Sequence, residues 1–351
     1  MAYTTIKKPS DYFNTILYTG DNSSPRTITG VGFQPDMNWS KIRSEANDHW
    51  VSDAVRGANE IIRPNGTDDK LVNGSGGYIS SFNSDGYVIA SGSASNNNFN
   101  KSSGTMVSWN WKANGAGSSN TDGDITSTVS ANTTSGFSIV SYTGNLTSGA
   151  TVGHGLGEVP KLVIVKNRSI TEDWFVLHTS ASATAGSYLK LNLTDAVSSG
   201  NSIVFNNTNP TSTVFTVGSV NGTNGSGNNM IAYCFADVKG FSKFGSYTGN
   251  GNADGTFIYT GFKPAFVLIK ANASADWYLI DNKRSTFNVM EASLKANTSD
   301  AESTTIQDMD FLSNGFKPRS TSGSTNGSGT TYIYMAFAEE PLVGDNPATA
   351  R

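Results

Sequence analysis

The sequence predicts an all-β chain of three tandem antiparallel β-sandwich domains, jelly-roll or lectin-like in general plan. Three observations lead there. Apolar residues come in short alternating or continuous runs, separated by clusters of Gly, Asn and Ser, as in short strands joined by tight turns. No stretch sustains a 3.6-residue period, and Glu291 to Ala296 offers at most a turn or two of helix. Finally, one cassette occurs three times: a proline, a lysine six residues later, and then a tryptophan. It reads Pro35, Lys41 and Trp50; Pro160, Lys166 and Trp174; and Pro264, Lys270 and Trp277.

Taken in order, residues 1–112 form the first sandwich. Phe13, Ile16, Leu17 and Tyr18 lead into a turn at Thr19-Gly20, and Met37, Trp39 and Lys41 alternate with Asp36, Asn38 and Ser40. Runs at Tyr78-Ile79, Tyr87 to Ile89 and Met106 to Trp111 complete it. Residues 113–135 are a polar spacer, or an extra strand in which Ile125, Thr126, Thr128 and Val129 pair with Phe137 to Tyr142. Residues 136–238 form the second sandwich, with about eight strands at the spacing of all-β folds. Residues 239–339 repeat the plan, and 340–351 make an extended tail. Met106, Trp109 and Trp111 align with Met230, Tyr233 and Phe235.

Composition narrows the function classes. With 36% hydrophobic and 11% aromatic residues, the 351-residue chain has the apolar content of a folded protein. A net charge of −4 and the lack of a basic block argue against nucleic acid. The single cysteine, Cys234, excludes an intramolecular disulfide. No apolar run has signal-peptide or membrane-spanning length, so synthesis in a reducing cytoplasm without membrane insertion is expected.

Few residues suggest chemistry. His49, His154 and His178 are read as structural; His178 shares its repeated position with Asp53 and Asp281. No zinc-type spacing exists. Asp68-Asp69 and Asp122-Gly123-Asp124 lack the ordered oxygen series of a calcium loop and are read as solvated turn acids. Asp308, Asp310, Glu339 and Glu340 hold the carboxylates a glycosidase would need, but spacing alone does not pair them. No catalytic residue, cofactor or metal ligand is therefore assigned. The three lysines end inward-facing strands and are given a scaffold role, with Asp53 and Asp281 as candidate partners. The tryptophans are read as core, with Trp109 and Trp111 as glycan-contact candidates if exposed. The loop after each lysine varies between copies, and recognition is expected there.

The motifs Tyr12-Phe13-Asn14-Thr15, Gly30-Val31-Gly32-Phe33-Gln34-Pro35, Ser246-Tyr247-Thr248-Gly249-Asn250-Gly251 and Gly261-Phe262-Lys263-Pro264 carry a resemblance across the whole chain. So do Asp310-Phe311-Leu312-Ser313-Asn314-Gly315-Phe316-Lys317 and Met335-Ala336-Phe337-Ala338-Glu339. The chain resembles tandem-repeat virion structural proteins, tail-fibre-like or appendage proteins of marine and other tailed bacteriophages. The resemblance implies a non-enzymatic protein of the virion surface, made in the bacterial host cytoplasm and contributing to host attachment. It implies other virion proteins, further copies of the chain (often a trimer in phage appendages) and a host surface glycan as partners. The first repeat begins by about Asp11, which favours a short appendage over a whole tail fibre. A capsid or vertex decoration protein and a glycan depolymerase are the alternatives.

Overall fold

The computed structural model describes residues 4–93, 98–305, 308–343 and 347. Parts of the N-terminal stretch (1–3) and of the expected tail (344–346 and 348–351) lie outside the described residues.

The first repeat contains β1 (Phe13–Thr19), β2 (Arg26–Ile28), β3 (Met37–Ile42), β4 (His49–Asp53), β5 (Gly57–Ile62), β6 (Leu71–Val72), β7 (Tyr78–Asn83), β8 (Gly86–Ala90) and β9 (Thr105–Trp111). They form a large sheet, β1-β9-β3-β4-β5-β6, and a small one, β2-β8-β7. The second repeat contains β10 (Ser118–Asn120), β11 (Ser127–Asn132), β12 (Phe137–Thr143), β13 (Thr151–Gly153), β14 (Leu162–Asn167), β15 (Trp174–His178), β16 (Tyr188–Lys190), β17 (Val214–Thr216) and β18 (Asn229–Phe235). Its large sheet runs β10-β11-β12-β18-β14-β15-β16, and β13 pairs with β17. Two four-residue helices, α1 (Ser202–Phe205) and α2 (Asn221–Asn224), lie in its connections. The third repeat contains β19 (Ser242–Thr248), β20 (Ile258–Tyr259), β21 (Phe262–Ala271), β22 (Trp277–Asp281), β23 (Ser293–Lys295), β24 (Met309–Leu312), β25 (Gly315–Pro318) and β26 (Thr331–Pro341). Its sheets run β19-β26-β21-β22-β23 and β20-β25-β24. The ladders of these sheets are antiparallel, and the chain is all-β.

Each large sheet closes in the same way. The first long strand pairs with the last, and the last pairs with the strand that carries the lysine. The spacer makes a hairpin: β11 pairs with β12, β10 pairs with β11, and Ile125 bridges separately to Val152. The stretch with helical composition, Glu291 to Ala296, contains edge strand β23 instead, because Leu294 pairs with Leu279 and buries in the core. Burial overrides propensity there.

The inner strands β3 and β14 are buried along their whole length. One face of each large sheet meets a small sheet over a local apolar cluster. The opposite faces of all three large sheets share one central cluster, with Trp39, Ile164 and Leu268 among its members. At its centre Trp111, Phe235 and Phe337 touch one another, with ring centroids 5.9 to 6.5 Å apart. Register makes them equivalent, since they lie opposite Met37, Leu162 and Phe266. Three rings at equivalent register positions thus sit together where the three large sheets meet. Phe137 stacks on Phe235 at 4.7 Å, and Phe13 on Phe337 at 4.9 Å.

The outward face of β3 is polar where β14 is aliphatic. Asn38 donates to Asn110 at 2.8 Å, Ser40 donates to Asn38 at 2.6 Å, and Tyr87 donates to Ser108 at 2.9 Å. These buried groups are tolerated because they satisfy one another.

A shared core predicts shared unfolding. Phe235→Ala should cost about 3–5 kcal/mol, and scanning calorimetry of the variant should still show a single transition. Selective early loss of the second repeat would contradict the shared core.

Candidate functional site

The side chains singled out in the sequence fall at the corners where one large sheet meets the next. Lys41, Lys166 and Lys270 lie opposite His49, Trp174 and Trp277 in their hairpins. All three lysines are fully buried. Lys41 Nζ donates to the carbonyls of Ile42 (2.6 Å) and Glu45 (3.2 Å). Lys166 Nζ donates to Thr67 (2.9 Å) and Glu172 (2.7 Å), and so crosses from the second repeat to the first. Lys270 Nζ donates to Ala271 (2.7 Å) and Ala273 (2.8 Å), with a longer contact to Thr194 of the second repeat. Burial pulls each ammonium down to about 8, against the opposing pull of nearby acids.

Register corrects one member of the cassette. Trp50 pairs with Ser40, one residue away from the position that Trp174 and Trp277 occupy. Side chains alternate along a strand, so Trp50 points into the outer cluster and His49 takes the corner. The substitution preserves the bond. Trp174 Nε1 donates to the Arg63 carbonyl and Trp277 Nε1 to the Lys190 carbonyl, both at 2.9 Å. His49 Nε2 lies 3.0 Å from the Lys295 carbonyl, while its Nδ1 accepts from Trp39 Nε1. These partners require the neutral Nε2–H tautomer. Burial, reinforced by Lys41, holds the His49 pKa well below its ordinary value.

The acceptor side repeats too, in a pattern the sequence reading missed: a basic residue, then Asn two positions on, Thr or Ser two further, and Asp next. It occurs as Arg63, Asn65, Thr67 and Asp68; as Lys190, Asn192, Thr194 and Asp195; and as Lys295, Asn297, Ser299 and Asp300. The Asn Oδ1 accepts the backbone N–H of His49, Trp174 or Trp277, each at 2.9 Å. Its Nδ2 donates to Asp48, Asp173 or Asp276, which pair with Arg63, Lys190 and Lys295. The Thr and Ser carbonyls accept from Glu172, Ala275 and Asn47 across the repeat boundaries. Constant spacing was the available signal. It lay in short polar residues, which turns use for many purposes.

The other end of each hairpin has its own cross-link. Asp53 binds Arg56 (2.5 Å) and accepts from Tyr233 Oη (2.7 Å), and Asp281 binds Arg284 (2.6 Å) and accepts from Trp109 Nε1 (3.0 Å). These acids were candidate partners for the lysines. They lie opposite Met37 and Phe266, four residues along the strand from the lysine, and meet arginine instead. His178 takes the same place in the second repeat and reaches the Tyr334 carbonyl at 3.2 Å. The third-repeat counterpart of Trp109 and Tyr233 is Met335, which has no N–H or O–H to donate.

Trp109 and Trp111 are 0% and 1% exposed, which removes them as glycan contacts: core packing has taken both rings. Pro35, Pro160 and Pro264 are buried, the last within β21 at a register shift, where its missing N–H is tolerated. His154 is held at both ring nitrogens, by Leu156 N and the Thr211 carbonyl, and His178 Nδ1 accepts from Ser180 N. Cys234 is buried, which pushes its thiol up. Asp310 pairs with Arg319 and Glu339 with Lys263. Among the described residues, no group of three or more His, Cys, Asp or Glu side chains is placed to hold a metal ion.

One corner opens to solvent. A cleft of about 570 Å³ lies where the first repeat meets Ser299 of the third. The loop after Lys41 lines it through Asn47 and Asp48, with Trp50, Arg63, Asn98 and the segment Gly74-Ser75-Gly76-Gly77. Gly77 has φ +96°, and a Cβ on Gly74 would sit 3.0 Å from Ile61 Cδ1, so this turn favours glycine. Arg63 lies 5.8 Å over the Trp50 ring and pairs with Asp48 (2.8 Å) and Asp68 (2.5 Å). Trp50 is 6% exposed, and its Nε1 is buried without a hydrogen-bond partner. Phe175 and Tyr278 hold the same position in the other repeats. Over Phe175, Gly222 of α2 packs so closely that a Cβ there would come within 2.1 Å of the ring.

The family model of DUF7483, described as a domain of unknown function, matches residues 8–341. No curated protein matches the chain.

The lysines predict a pH dependence. Between about pH 8 and 10.5 the unfolded lysines keep protons that the folded ones have released. The unfolded state then binds more protons, so these groups make stability rise with pH through that window. Raised groups such as Cys234 and Lys190 act in the opposite sense, so the lysine contribution is read as a difference. Between about pH 7.5 and 9.5 the thermal midpoint should change with a more positive slope in the native chain than in a variant combining Lys41→Met, Lys166→Met and Lys270→Met. An undiminished slope in that variant would refute the assignment.

Proposed function

We propose that this chain, which belongs to the DUF7483 family, is a non-enzymatic protein of the bacteriophage virion surface, an appendage component contributing to host attachment. The observation that carries the reading is where the reactive groups lie. The three histidines are bound at both ring nitrogens, the three cassette lysines sit behind carbonyls, and Asp53 and Asp281 are locked to arginines. These groups join sheets and leave no proton-transfer pair facing solvent among them. The resemblance to tandem-repeat virion proteins supports the location. The shared core supports durability, since it replaces independent domains with one cooperative body. Other virion proteins and further copies of the chain are its proposed partners.

Particle imaging tests the location, and adsorption tests the role. Density for the chain at the tail, with slower host adsorption when purified protein is added first, is the expected outcome. Density on the capsid lattice would replace attachment with shell decoration. Steady release of reducing ends from host polysaccharide would make the protein a depolymerase.

A further inference from the structure

We propose that the open corner between the first and third repeats is a binding site for a neutral saccharide of two or three sugar units. Internal symmetry supplies the comparison. The three corners share one hydrogen-bonded frame, so departures from it stand out. At the position of Phe175 and Tyr278 the first repeat has Trp50, and in place of Lys190 and Lys295 it has Arg63. In the second repeat α2 packs over Phe175, whereas the glycine-rich turn 74–77 borders open space in the first.

The chemistry of the walls selects the ligand class. Trp50 Nε1–H is a buried donor without an acceptor, an unfavourable arrangement that an acceptor would relieve. A ligand hydroxyl in the cleft can accept that bond once a small rotation of the Trp50 side chain brings Nε1 to the cleft surface. Arg63 covers the Trp50 ring, so the indole acts here as a hydrogen-bond donor more than as a stacking surface. Asp48 and Asp68 together outweigh the single charge of the guanidinium they pair with, which disfavours an acidic ligand. Asn47 and Asn98, joined by a 3.0 Å hydrogen bond, add amide groups of the kind that pair with adjacent hydroxyls. A volume of about 570 Å³ falls within the range of small-ligand sites.

The proposal deepens the attachment reading, and rests on it only for the source of the saccharide. The test uses the full chain, with saturation-transfer NMR and calorimetric titration against maltose, lactose, mannobiose and diacetylchitobiose, and digalacturonate as the acidic probe. At least one neutral disaccharide should bind at concentrations up to about 10 mM. Trp50→Phe, which keeps a ring and removes the N–H, should weaken binding about tenfold. Ser75→Trp, at an exposed position on the rim, should abolish it while leaving the melting temperature unchanged. Tyr278→Phe, at the equivalent corner, should leave binding intact. Failure of every neutral probe, preference for digalacturonate, or binding insensitive to both Trp50→Phe and Ser75→Trp would overturn the proposal. Saccharide binding by a chain imaged on the capsid would sink the attachment reading and leave the cleft assignment standing.

Discussion

Three sheets share one apolar centre, and the rest of the structure follows from that constraint. Strands buried on both faces offer little water to the polar groups at the corners, which therefore find partners within the protein, several of them across a repeat boundary. The donors are the indoles of Trp174 and Trp277 and the imidazole of His49. The acceptors are carbonyls of the preceding repeat, in cyclic order. Each lysine then fills its corner with an ammonium that bonds to carbonyls alone. Burying such a charge is unfavourable, and burial therefore lowers the pKa of each ammonium. Its three-directional donation nevertheless suits a place where several carbonyls converge.

The second set of cross-links shows how donor and acceptor depend on each other. An acid stands at the hairpin end where the next repeat offers Tyr233 or Trp109. Where the next repeat offers Met335, the acid is replaced by His178, which turns to a backbone carbonyl. An aspartate there would be buried without that donor. The departure from the repeat is a consequence of its neighbour, which explains why the sequence of one repeat alone does not account for it.

Much of this was legible in the chain. The alternation of Met37, Trp39 and Lys41, the continuous run Leu162 to Val165 and the proline–lysine spacing all lead to strands β3, β14 and β21, and the spacer does contain a strand against β12. Other features were not. Trp50 follows Lys41 as a tryptophan should, but the connecting loop sets the register and brings His49 opposite the lysine instead. Trp109 and Trp111 have the residue type of sugar-binding side chains, and only burial tells that they line an interior. The Arg63–Asn65–Thr67 pattern and its copies were visible as spacing and had no meaning until their partners, on other strands, were in place.

The lysine cassette thus carries two kinds of information. By itself the sequence determined the β class, the threefold recurrence and the inward face on which each lysine lies, because alternation and turn chemistry act over a few residues. Only the tertiary structure decided that the three faces meet in one core, that Lys166 reaches Thr67, and that an open cleft lies beside Trp50. Those outcomes depend on surfaces brought together from distant parts of the chain, where the partner of a group is set by packing and not by its neighbours in sequence.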